Sequence, residues 1–152
     1  MTGKFSMYLP INLNISQKRI LFVGGGAVCL HKIAAVQKFT SSITIVSKEF
    51  LPEVIALGFN CITKDYDEHD LDTADIVYAC TNNTDINIQI HADAKRRGLL
   101  INVADNPALC DFISPALHTQ GNITVAVSSG GTDVKKAVRI RNMIREFLTE
   151  HL

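Results

Sequence analysis

The segment Arg19-Ile-Leu-Phe-Val-Gly24-Gly25-Gly26-Ala27-Val28 frames everything around it. A continuous apolar run of strand-forming residues stops at three glycines, and an apolar-periodic segment from Ala27 to Phe39 follows at helical spacing. Strand, glycine turn and helix are therefore predicted. In such a unit Gly24 permits the tight turn and Gly26 lets a backbone approach a pyrophosphate. The helix beginning near Ala27 points its positive end at that anion. By itself Gly24-x-Gly26 is a partial fingerprint, with Cys29 where the third small residue belongs, and an ordinary glycine-rich turn fits it equally.

Working outward, the chain alternates strands with helices. Tyr8 to Leu13 reads as a short extended piece, confined by Pro10 to an edge. Ser42 to Val46 is rich in β-branched residues and closes a first β-α-β unit. Pro52 to Leu57 reads as a short helix, residues 61–63 as a third strand, and Asp65 to Asp72, with five acids in eight residues, as a solvated connection. Ala74 to Ala79 is a fourth strand, and Thr81 to Asp85 supplies turn and capping chemistry for a helix from Ile86 to Arg97 that ends at Gly98. Leu99 to Val103 is a fifth strand, stopped by Asp105-Asn106-Pro107. This alternation predicts an α/β fold with a doubly wound parallel sheet, whose ligands lie at the carboxyl ends of the strands. Residues 24–26, 47–49, 81–83 and 102–105 all fall there.

Beyond Phe112 the pattern changes to two strands, Phe112 to Leu117 and Ile123 to Ser128, joined like a hairpin through Gln120-Gly121-Asn122. A loop at 129–132 and a final helix from Asp133 to Leu152 complete the chain. Residues 1–111 are read as the nucleotide-binding domain and 112–152 as a short dimerisation and substrate region. So small a strand pair and helix cannot bury themselves, and a homodimer through this region is expected.

Composition narrows the options. At 152 residues one domain with a small appendage is expected, and 15 basic against 15 acidic residues give no footprint for nucleic acid or a membrane surface. Cys29, Cys61, Cys80 and Cys110 lie far apart without a C-x-x-C pair, as fits thiols in a reducing cytoplasm. The amino-terminal stretch lacks the signal-peptide pattern and no run reaches membrane-spanning length. The five histidines show no ligand spacing, so no bound metal is expected.

Several motifs in order carry a resemblance: Leu9-Pro-Ile, Gly24-Gly-Gly-Ala-Val with Lys32, Ala79-Cys-Thr-Asn-Asn with Asn87, Asn102-Val-Ala-Asp105, Phe112-Ile-Ser-Pro-Ala116 and Val125-Ala-Val-Ser-Ser-Gly-Gly131. From about Tyr8 to about Phe147 the chain resembles the precorrin-2 dehydrogenases of sirohaem biosynthesis, including the module at the start of fused sirohaem synthases. The resemblance implies a Rossmann-type sheet and oxidation of precorrin-2 to sirohydrochlorin with NAD+ as hydride acceptor. It implies that Gly24, Gly25, Gly26, Ala27 and Val28 hold the pyrophosphate and that Ser47, Lys48 and Glu49 face the adenosine ribose. Thr81 and Asn82 would line the nicotinamide side, Asn102 would also bind the cofactor, and Asp105 would be the catalytic acid or base. Ser128, Gly130, Lys135, Lys136 and Arg139 would meet the carboxylates of the tetrapyrrole substrate. Asp133-Val134 stands where the family usually has Ser-Pro, and the family's further helical extension has no counterpart after Leu152. A simpler pocket, or one completed by a partner subunit, is the corresponding expectation.

Each assignment has a plainer rival. An Asp before Asn-Pro is a common turn former that bonds its own backbone, and the basic run from Lys135 to Arg145 is also what a solvated helix face looks like. At the level of the whole chain the rivals are a non-catalytic NAD-sensing domain and a bifunctional enzyme that also inserts iron into sirohydrochlorin.

Overall fold

The computed structural model describes residues 7–152. Five short strands are built from the apolar runs: β1 (Ile20–Val23), β2 (Ile43–Ser47), β3 (Asn60–Thr63), β4 (Ile76–Ala79) and β5 (Leu100–Val103). They form one sheet in the order β3-β2-β1-β4-β5, every pairing parallel. All four residues of β1 and of β4 are buried, as expected for central strands covered on both faces. Side chains alternate between the faces. Phe22, Ile45 and Tyr78 meet Cys29 and Ile33 of α1 (Ala27–Val36) and Val54 of α2 (Pro52–Ala56). Leu21, Val23, Val77, Ile101 and Val103 meet Ile90 and Ala94 of α3 (Thr84–Arg96). The doubly wound α/β expectation is thus met. Across β1 and β4 the rings of Phe22 and Tyr78 stack with centroids 4.5 Å apart, and Phe112 meets Tyr78 edge-on at 5.4 Å.

The elements depart from the sequence expectations in instructive ways. Tyr8 to Leu13 forms no strand. The first helix stops at Val36, three residues short of Phe39, because the chain must turn for Ser42 to offer its carbonyl to the Ile20 amide at 3.0 Å. Strand β4 begins at Ile76 rather than Ala74, because Asp75 is occupied in joining the two strand starts. Its carboxylate accepts from the Arg19 backbone amide at 2.8 Å and from the Arg19 guanidinium at 3.3 Å, and these partners, the amide first, hold its carboxyl below the usual range.

The largest correction concerns Asp65 to Asp72. Instead of a solvated connection, the chain folds a 3-10 helix over Glu68–Thr73 with reciprocal capping: Asp67 accepts from the His69 amide at 2.9 Å and Asp70 accepts from the Asp67 amide at 2.9 Å. Asp70 is paired with Lys64 at 2.7 Å, Glu68 with Arg96 at 3.2 Å, and Asp72 with Arg97. The one aliphatic residue of the segment, Leu71, is 2% exposed in the α3-side core.

By contacts the chain divides into two compact units, one spanning Asn12–Phe112 and the other containing Ile113–Leu152 with the described residues before Asn12. In the second, β6 (Ala116–Gln120) and β7 (Ile123–Val127) pair antiparallel, and α4 (Val134–His151) packs on both strands. Arg141 donates to the Leu117 carbonyl at 2.8 Å and Ala137 is buried. The hairpin expectation holds, with β6 displaced from 112–117. Pro115 has no amide to give a ladder, and the carbonyl of Phe112 is already taken by Asn102 at 2.9 Å.

Leu71→Ala should lower the free energy of unfolding by about 2–5 kcal/mol, the usual cost of emptying a fully buried leucine site. Urea denaturation followed by circular dichroism measures it. An unchanged midpoint would mean that the acidic segment is surface decoration after all.

Candidate functional site

Three loops meet at the carboxyl ends of β1, β2 and β4, and the meeting is only possible between glycines and bare backbone. Gly24 adopts φ +124, a conformation that favours glycine. A Cβ there would lie 2.4 Å from the Cys80 carbonyl oxygen, and a Cβ on Gly25 would lie 2.3 Å from that of Glu49. Backbone bonds fasten the junction: Gly24 amide to Val46 carbonyl at 2.8 Å, Leu51 amide to Gly25 carbonyl at 2.9 Å, and Cys80 amide to Val23 carbonyl at 2.8 Å.

Gly26 is different. Its φ of −96 suits any residue, and a Cβ there meets nothing within 4 Å, so the glycine leaves open space beside the backbone. Gly26 is also the N-cap of α1, which has no side-chain cap and no acidic residue in its first turn. The amides of Ala27 and Val28 have no intrahelical acceptor, as at any helix start, and the helix dipole adds positive potential. An anion such as a pyrophosphate fits this cradle, with backbone amides as donors and no side chain in its way. Cys29, in the third small position, is wholly buried against the sheet, as the close helix-to-strand packing of the fingerprint requires. The contribution of Gly25 was not legible in the sequence, because its partner carbonyl lies 24 residues further on.

The remaining predicted residues sort by position. Ser47 ends β2, and Glu49 comes against Gly25 through its backbone, so the 47–49 loop borders the cradle. Lys48 is engaged on the surface with Asp65 at 2.7 Å. After β4, Thr81 is clasped by Asn87 of α3, which is 1% exposed. The Asn87 side-chain oxygen accepts from the Thr81 amide at 3.2 Å and hydroxyl at 2.7 Å, and its nitrogen donates to the Thr81 carbonyl at 3.1 Å. The next residue, Asn82, is left exposed, and Asn83 caps α3 by accepting from the amides of Asp85 and Ile86. Thr81 and Gly24 leave adjacent strands on either side of the point where the strand order reverses, which is the ligand crevice of such sheets.

Asn102 stands apart from the exposed groups. It is 2% exposed within β5, its amide nitrogen holds the Phe112 carbonyl, and its side-chain oxygen has no hydrogen-bond partner among the described residues. Asp105, just past β5, is exposed, and its carboxylate bonds no backbone amide of its own turn. It accepts instead from the Thr84 hydroxyl at 3.1 Å. The nearby thiols are poor acid-base candidates: burial pushes Cys80 up to about 12 despite the opposing charge of Lys32, and burial also raises Cys110. Among the described residues no cluster of His, Cys, Asp or Glu has metal-holding geometry, and no helix is long and apolar enough to cross a membrane.

Ser128, Gly130, Lys135, Lys136 and Arg139 belong to the second unit. The Gly130 amide donates to the Ser128 hydroxyl at 3.1 Å, and Asp133 caps α4 by accepting from the Lys136 amide at 2.9 Å. The side chains of Lys135, Lys136 and Arg139 are exposed on the first turns of that helix.

Comparison with known proteins agrees with this geometry. A family model described as NAD(P)-binding matches residues 11–116. A siroheme synthase of Pseudomonas fluorescens (strain Pf0-1) is 36% identical over 145 residues, covering 93% of this chain and 31% of that protein. One from Zymomonas mobilis is 35% identical over 149 residues, covering 95% of this chain and 32% of that one. The chain therefore spans about a third of the length of these relatives. Among solved structures, SirC, precorrin-2 dehydrogenase, superposes with a TM-score of 0.76 at 21% identity, covering 92% of this chain and 70% of that one, and so shares the fold.

Proposed function

The chain belongs to the NAD(P)-binding family, and on that premise we propose that it is an NAD-dependent dehydrogenase that oxidises precorrin-2 to sirohydrochlorin. The observation that carries the proposal is the pairing of an open glycine cradle at Gly26 with an exposed carboxylate, Asp105, on the same carboxyl edge of one parallel sheet. Its alignment with siroheme synthases and its likeness to a precorrin-2 dehydrogenase support the choice of substrate.

In this reading the amides at Gly26, Ala27 and Val28 bind the pyrophosphate, with Gly24 and Gly25 shaping the turn. The 47–49 loop meets the adenosine ribose, and the Thr81–Asn82 turn orients the nicotinamide. Bound NAD+ supplies the hydride acceptor. Asp105 takes the proton that the macrocycle loses with the hydride. Asn102 serves the site from within, by fixing where β5 delivers Asp105. The unit Asn12–Phe112 is the cofactor domain, and the unit containing Ile113–Leu152 is the substrate and dimerisation region, where Ser128, Gly130, Lys135, Lys136 and Arg139 hold substrate carboxylates. The homodimer is supported by apolar side chains that α4 leaves in water, Met143 at 59% and Phe147 at 58% exposed, one turn apart.

Gly26→Val should fold normally, since valine accepts this backbone, yet lose NAD+ binding because its branches fill the cradle. Calorimetric titration checks this, and unchanged affinity would end the cradle assignment. Asp105→Asn keeps the shape but removes the base, so turnover of precorrin-2 should fall by about 10² to 10⁴-fold with NAD+ affinity retained. Turnover within a few-fold of wild type would remove Asp105 from the proton transfer, whereas no turnover of precorrin-2 by the wild-type protein would favour a non-catalytic, NAD-sensing domain. Light scattering at micromolar concentration should report twice the chain mass, and a monomer would contradict the dimer.

A further inference from the structure

We propose that Thr84 is a positioning residue for Asp105, an inference that rests on the reading of Asp105 as the base. Thr84 is the first residue of α3, and its hydroxyl donates to Asp105 Oδ2 across 3.1 Å, linking the loop after β4 to the loop after β5. The hydroxyl is not consumed by the helix, because capping is done by Asn83, which accepts from the amides of Asp85 and Ile86 at 3.0 and 3.2 Å.

A hydroxyl-carboxylate bond between two exposed side chains adds little to stability, since water competes for both partners. Its effect is on orientation. An exposed aspartate otherwise samples several rotamers, whereas Thr84 is stiff at χ1 and sits on a helix start that is itself held. The Thr81 hydroxyl accepts from the Asn83 amide at 3.2 Å, and Asn87 clasps Thr81 from within the core. One chain of bonds therefore runs from buried Asn87 through Thr81 and the start of α3 to Asp105, so the turn assigned to the nicotinamide and the proton acceptor share one anchor.

With Oδ2 occupied, Oδ1 is the oxygen left to take the proton. In the balanced step the substrate gives two electrons and one hydrogen nucleus to NAD+ as hydride, forming NADH, and a second proton to Oδ1. That proton then passes to solvent and restores the carboxylate. Thr84 loses no proton; it holds the acceptor in line, and misplacing such a group by even an ångström is costly.

The test combines a mutant cycle with crystallography. Thr84→Val should lower kcat for precorrin-2 about tenfold while leaving the KM for NAD+ near wild type, and Thr84→Ser should restore most of the loss. In an Asp105→Asn background Thr84→Val should cost nothing more, because the group it orients is gone. A crystal structure of cofactor-free Thr84→Val should show the Asp105 carboxylate spread over more than one rotamer. An equal loss in both backgrounds, or a single unmoved carboxylate in the valine variant, overturns the proposal while leaving Asp105 as base. If Asp105→Asn itself turns over normally, the base assignment fails and the role of Thr84 falls with it.

Discussion

Backbone-to-backbone crowding at the end of β1 is the constraint on which the site depends. Gly24 and Gly25 come so close to the carbonyls of Cys80 and Glu49 that a single added carbon on either would sit well inside van der Waals contact. The loops after β1, β2 and β4 are held together there by amide-carbonyl bonds, without side chains. With the junction closed, Gly26 can be left bare at the head of α1, so two glycines make the architecture and the third makes the vacancy a ligand needs.

Around this junction the polar groups divide between structure and chemistry. Asn87 and Asn102 are both buried amides, and each fixes a loop: Asn87 grips Thr81, and Asn102 grips the carbonyl of Phe112. Buried side-chain amide bonds of this kind are costly to break and so hold their loops firmly. The exposed groups, Asn82 and Asp105, can face a ligand because the buried ones have already paid the ordering entropy of the loops that carry them.

Much of this was legible in the sequence because it is local. Runs such as residues 20–23 and 76–79 announce buried parallel strands by being apolar throughout, and the glycines that end the first run announce the turn. What stayed hidden depends on distant partners. The acids of residues 65–72 read as solvated surface until Arg96 and Arg97 arrive from the end of α3 to pair with them. Gly25 reads as a spare glycine until Glu49 is placed against it. The strand expected at Phe112 fails because Asn102, ten residues earlier, claims its carbonyl and Pro115 offers no amide. Asp105 is singled out by its place after β5 together with the motif Asn102-Val-Ala-Asp105, but its neighbour Thr84 could not be, since nothing in either loop marks the other.

The register of the sheet has one more consequence. Val23 pairs with both Val46 and Ala79, and Ala79 with Val103, so the central strands end flush and their loops depart from a level rim. Substitutions act on one side chain, but loss of one residue from β5 would act on two systems together. It would draw Asp105 about 3.3 Å down from the rim, one strand step. It would also exchange the faces of Asn102 and its neighbours Ile101 and Val103, sending an amide into the apolar layer under α3. At this strand the hydrophobic pattern and the height of Asp105 are set by the same residues, so both constrain the length of β5.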